Sequence, residues 1–193
     1  WLTASQYGAF VLSFSSFLII GIIHTSLITE PMLVLGSSLF RTSFKSYFKT
    51  LCLLHWKLTC GLSLVLIVPA LLTRLTNSFE LSWAFWGLIP SAPLILSLWL
   101  SRRAFYVIKS PKLSAFGGIA YLMCLLISMW LIHKTILLNP SIAFIVMGLI
   151  SYSIYLYFMR ELQSISISDT TISQSNIILN HRKYGGWILS SAL

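Results

Sequence analysis

Apolar runs of bilayer length recur along this chain, and they limit what it can fold into more than any other feature. They cover about 7–28, 51–73, 81–101, 113–133 and 141–159. A helix of about 20 such residues, rising 1.5 Å each, crosses a hydrocarbon core about 30 Å thick. Lipid offers backbone groups no hydrogen bonds, so such runs must satisfy their own as helices. The fold class that follows is all-α: a polytopic transmembrane helix bundle of about five spans over 1–159.

Composition supports this class and excludes another. Hydrophobic residues make up 57% and charged residues 9% of the 193, with mean hydropathy +0.87; a soluble domain has roughly 45–50% and 25%. The formal charge of +9 would suggest nucleic acid in a polar protein. Here the cations fall mostly between apolar runs, where the positive-inside bias explains them, and no nucleic-acid partner is expected. Cys52, Cys60 and Cys124 lie inside apolar runs without CxxC spacing, so neither a disulfide framework nor a metal site is expected, and no cofactor is implied.

After the first run, Glu30-Pro31 reads as the break that ends the span. An interfacial helix is expected from Phe40, with Phe40, Phe44, Tyr47 and Phe48 on one arc and Arg41, Lys45 and Lys49 on a second beside it. Aromatic rings at headgroup depth next to cations that meet anionic membrane lipids suit such a segment. Pro69, Pro90 and Pro93 fall inside spans two and three, where prolines kink helices, some beside cavities. Residues 160–183, rich in Ser, Ile, Thr and Asn and without helical periodicity, read as a cytoplasmic linker. Residues 184–193 read as the start of a further span. WLTASQYG reads as a loop met midway, so the chain is expected to be cut at both ends.

Charge sets the expected orientation. The connections 29–50, 102–112 and 160–183 carry Arg41, Lys45 and Lys49; Arg102, Arg103, Lys109 and Lys112; and Arg160, Arg182 and Lys183. The alternate turns hold only Arg74 and Lys134. The basic connections are therefore expected inside, with the N-terminus of this chain outside. One more span ahead of Trp1 would start the intact protein inside.

YGAFVLSFSS, LITEPMLVLGSS, FRTSFKSYFKTLCLLHW, SRRAFYV and HRKYGGWILSSAL together resemble bacterial polysaccharide and oligosaccharide-lipid flippases of the multidrug/oligosaccharidyl-lipid/polysaccharide exporter superfamily. The resemblance runs over nearly the whole chain through motifs of moderate specificity. It implies two six-helix lobes, of which this chain holds spans two to six of the first, the linker, and the start of the second lobe. It also implies an inner (cytoplasmic) membrane transporter that moves a lipid-linked glycan across the bilayer by alternating access. Its partners are membrane lipids, the glycan-lipid substrate and the missing second lobe. No bond is made or broken, so the protein is not expected to be an enzyme.

Polar residues inside spans are costly and functional by default. Candidate substrate contacts are Lys57, His24 and His55, with Arg74 and His133 nearer the ends. His24 is expected near the inner boundary, either lining the inward mouth or hydrogen-bonded to a neighbouring helix. His55 and Lys57 are separated by about 200° around their helix and cannot face one cavity together. Lys57 either contacts the substrate's pyrophosphate or snorkels to the surface. Glu30 and Glu80 are expected at helix ends. A membrane glycosyl- or acyltransferase is the weaker alternative, because Glu30, Glu80, Glu161 and Asp169 are isolated and no HxxxD, HExxH or DxD occurs. No residue is assigned as catalytic. A membrane scaffold or a non-functional remnant of a flippase is the other alternative.

Overall fold

The structure is a computed structural model that describes residues 2–135, 138–164 and 173–192. Nearly all of these residues are helical, with no strand among them. The helices are α1 (Ala4–His24), α2 (Glu30–Ser37), α3 (Phe44–Val65), α4 (Ile67–Leu75), α5 (Phe79–Val107), α6 (Pro111–Thr135), α7 (Pro140–Ser164) and α8 (Gln174–Ala192). Five segments are long and apolar enough to cross a membrane: Ala4–Ser37, Arg41–Leu75, Phe79–Val107, Pro111–Lys134 and Pro140–Ser164. By length and composition this is a polytopic all-α membrane protein.

Helix α5 is the most buried of the five and α6 the least. Small residues bring α5 and α7 together. A Cβ added at Gly87 would lie 2.5 Å from the Ser141 Cα, and one at Gly148 would lie 3.0 Å from the Ser91 Cα. Backbones that approach this closely gain dispersion energy that lipid cannot supply, since lipid tails remove the usual hydrophobic drive between helices. Pro90 and Pro93 lie inside α5 without ending it. The bend of the second span falls at Leu66, between α3 and α4 and just ahead of Pro69.

The core forms two clusters along the bundle. One gathers Met32, Phe40, Phe44, Tyr47, Phe105 and Phe158. The other gathers Phe17, Leu66, Ala84, Leu88 and Phe144. The first lies at the basic end, where the Lys45 ammonium donates to the Gln163 carbonyl at 2.9 Å and Arg103 pairs with Glu30. At the opposite end Gln6, Glu80 and Asn139 line one pocket. The five antiparallel segments thus gather the cations of alternate connections at one end. At the opposite end, Glu80 stands in the first turn of α5, beside the positive pole of its dipole.

Three boundaries differ from the sequence reading. Glu30-Pro31 does not end the first span: the helix runs from Ala4 to Ser37 through a wide turn of π geometry at Thr25–Thr29. Glu30 accordingly stands within that long segment rather than at its end. The aromatic arc expected at the lipid interface is buried: Phe40, Phe44, Tyr47 and Phe48 are core residues, with Phe40 stacked on Tyr47 at 4.5 Å between centroids. The 35-residue segment Arg41–Leu75 joins the expected interfacial helix to the second span. Inside a protein, large aromatic faces bury more area than they do among headgroups. The linker read over 160–183 is helical at both ends, since α7 continues to Ser164 and α8 begins at Gln174; its middle, 165–172, lies outside the described residues. The further span read from 184 is the second half of that same helix α8.

Candidate functional site

The junction of the two core clusters is polar. His24, at the end of α1, and His55, in the middle of α3, are fully buried. Their rings meet edge to face, with His24 Nε2 3.0 Å from His55 Nδ1. One of these nitrogens donates its N–H to the other. Each neutral imidazole carries a single proton, so the acceptor ring holds its own N–H on its outer nitrogen and the donor ring's outer nitrogen is bare. These outer atoms, His24 Nδ1 and His55 Nε2, make no hydrogen bond. Arg103 acts on His24 electrostatically, and the Pro93 carbonyl lies beside His55. Thr59 returns its hydroxyl to the His55 carbonyl at 2.8 Å, whereas the buried Ser63 hydroxyl, one turn beyond it on α3, shares with the outer imidazole nitrogens the lack of a partner.

A third histidine, His181, closes a different network just along the bundle. Pro31 has no N–H, so the Leu27 carbonyl that a helical residue there would engage is left open. The π turn widens the helix at that place, and α8 fills the gap. His181 Nδ1 lies 3.2 Å from the Leu27 carbonyl, and its Nε2 lies 2.6 Å from the Tyr47 hydroxyl. A carbonyl only accepts, so Nδ1 carries the proton, Nε2 accepts, and Tyr47 O–H donates. Gly185 permits the approach: a Cβ there would lie 2.9 Å from the Ser26 carbonyl oxygen and 3.0 Å from the Leu27 Cα. Burial pushes the His181 imidazole below its usual 6.5, partly opposed by the Leu27 carbonyl.

The structure brings His24 and His55 together and sends Lys57 elsewhere. Lys57 is exposed on α3, in a stripe with Leu53, Cys60, Gly61 and Leu64, all exposed, as its angular separation from His55 requires. Of the basic residues read as interfacial, Arg41 and Lys49 are exposed. Lys45 bonds Gln163, Arg102 Nε donates to the Ser114 carbonyl at 3.2 Å, and Arg103 pairs with Glu30. Sequence reasoning weighed His24 and His55 separately and missed their pairing. It also passed over His181, whose only signal was the HRKYGGW motif, and the partner of Glu30. Among the described residues no group of three or more His, Cys, Asp and Glu side chains is placed to hold a metal.

Chemically, the paired imidazoles can hold and pass a proton, and the exposed lysine can meet an anion. Compared with known proteins, the chain matches no family model, no curated protein and no solved structure.

Proposed function

We propose that the chain is part of a membrane transporter that flips a lipid-linked oligosaccharide, or exports polysaccharide, by alternating access against a second lobe. The observation that carries this reading is the exposed stripe of α3, in which Lys57 stands among Leu53, Cys60, Gly61 and Leu64 on a surface that no other helix among the described residues covers. A cation within a span is expensive unless it faces water, an anion or the interface. Small neighbours such as Cys60 and Gly61 suit the close approach of another body. In this reading the stripe faces the central cavity, and Lys57 meets the substrate's pyrophosphate.

Orientation belongs to the same proposal. The end bearing Arg41, Lys45, Lys49, Arg102 and Arg103 is cytoplasmic, in the inner membrane, because short basic connections are retained inside. With Cys52, Cys60 and Cys124 replaced by serine, a cysteine at Asn77 should react with an impermeant thiol reagent in intact cells. One at Ser110 should react only after permeabilisation, and the reverse pattern would overturn both the orientation and the flippase alignment. For transport, the parent protein carrying Lys57→Gln, reconstituted at matched levels, should flip a lipid-linked oligosaccharide at no more than about a tenth of the parental rate. Lys57→Arg should retain part of it. Parental flipping by Lys57→Gln would return Lys57 to a snorkelling role.

A further inference from the structure

At the basic end a groove of about 430 Å³ runs between α3 and α7, lined by Lys45, Ser46, Phe48, Lys49, Cys52, Met159, Leu162 and Gln163. Its polarity changes with depth. Helix α3 enters the bundle from this end, so Lys45 and Lys49 stand at the mouth, while Cys52 is about 10 Å further in than Lys45 at 1.5 Å per residue. Helix α7 runs the opposite way, which puts Gln163 at the mouth beside the lysines and Met159 deeper. The Lys45 ammonium is held across the opening by its bond to the Gln163 carbonyl, and an ammonium has three donors, so two remain. At the floor the Tyr155 hydroxyl reaches Cys52 Sγ at 3.9 Å.

Among the described residues no carboxylate lines the groove. Glu161 is the acid nearest in sequence, but it lies about 200° around α7 from Met159, where it interacts with Tyr157. Glu30 is taken up by Arg103. Two cations with no acid among the described lining residues, above an apolar channel that runs along the span, match a phosphate above an acyl chain. Basic pockets between transmembrane helices bind anionic headgroups in this way.

We propose that this groove is a stoichiometric site for one anionic diacyl phospholipid, whose phosphate lies between Lys45 and Lys49 and whose chain runs past Phe48 and Cys52 toward Met159. A bilayer phospholipid is the occupant because two cations above an apolar channel match its phosphate and its acyl chain, and in a bilayer phospholipid is far more abundant than any isoprenoid carrier. The site is independent of the transport reading: it needs only a bilayer around the helices.

The full chain in nanodiscs of equal phosphatidylglycerol and phosphatidylcholine, ejected into native mass spectrometry, tests it. One phosphatidylglycerol should stay bound in preference to phosphatidylcholine. Lys49→Gln should reduce its occupancy about fivefold, the effect expected of one cation near an anionic headgroup. Cys52→Trp, which fills the channel and keeps both charges, should abolish it. Arg41→Gln, which removes a cation at the same end outside the groove, should leave it unchanged. Equal retention in the Lys49 and Cys52 variants, or an equal loss in Arg41→Gln, would reduce the groove to diffuse attraction and overturn the proposal. Displacement of phosphatidylglycerol by equimolar undecaprenyl phosphate would overturn the choice of occupant. Melting curves of each variant confirm that the bundle is intact when lipid is counted.

Discussion

Two buried histidine networks stand close together in this bundle, and their chemistry is opposite. His181 is spent: one nitrogen donates to the Leu27 carbonyl, the other accepts from Tyr47, and the carbonyl it serves was opened by Pro31. His24 and His55 pair with each other, the Pro93 carbonyl stands beside His55, and the outer nitrogen of each ring lacks a hydrogen bond of full geometry. A saturated network specifies one docking geometry and gains nothing from change. A half-saturated one retains capacity for a proton or a polar visitor, at a cost in stability. The difference lies in the partner. His181 answers a backbone group that no substitution of side chains removes, whereas His24 and His55 answer side chains that could both be dispensed with.

Substitutions can break this contrast, starting with the largest effect. His181→Leu orphans both the Leu27 carbonyl and the Tyr47 hydroxyl, at about 1–3 kcal/mol for each group left buried without a partner. Amide hydrogen exchange over α8 and the Thr25–Thr29 turn should accelerate strongly. Adding Tyr47→Phe should recover only part of the loss, because the carbonyl remains. Full recovery in that double variant would mean the carbonyl bond contributes nothing.

The imidazole pair should respond in the other sense. His55→Leu leaves His24 buried and alone, again about 1–3 kcal/mol, read as a lower thermal midpoint in detergent. The double variant His24→Leu/His55→Leu removes both polar partners and should melt at or above the parent. If the double variant is less stable than either single one, the pair is a structural bond like that of His181.

A smaller effect is expected with pH. Because burial holds His181 below 6.5 when docked, an undocked α8 binds more protons in the acid range. Docking should therefore be complete above pH 6.5 and weaken as pH falls through that value toward the docked imidazole's own lower one. Protease nicking of α8 that rises on acidification in the parent, but not in His181→Leu, would sharpen the assignment. The smallest change is Tyr47→Phe alone, about 1 kcal/mol, since His181 loses one of two bonds.

Much of the bundle was legible from hydropathy and charge. The five runs became five helical segments because each had to satisfy its own backbone in lipid, and the alternation of basic connections placed Lys45 beside Gln163 and Arg103 beside Glu30 at one end. Helical periodicity alone put His55 and Lys57 on different faces. The continuity of α1 into α2 was not legible. Glu30-Pro31 looks like a stop in one dimension, and what lets the helix continue is a π turn whose open carbonyl meets His181, 154 positions away along the chain. The aromatic arc of Phe40, Phe44, Tyr47 and Phe48 was read as amphipathic against lipid because periodicity shows that a helix has a face, not what covers it.

The sequence by itself determined the class of the protein, the number of membrane-length helices and which connections share an end, since these follow from hydrocarbon thickness and the cost of charge within it. Tertiary structure alone decided which face of each helix meets protein, that His24 would find His55 while Lys57 stayed outside, and that α8 would complete the first helix. Those outcomes depend on contacts between residues distant along the chain, whose approach is set by small residues such as Gly87, Gly148 and Gly185 and by the backbone groups each helix leaves open.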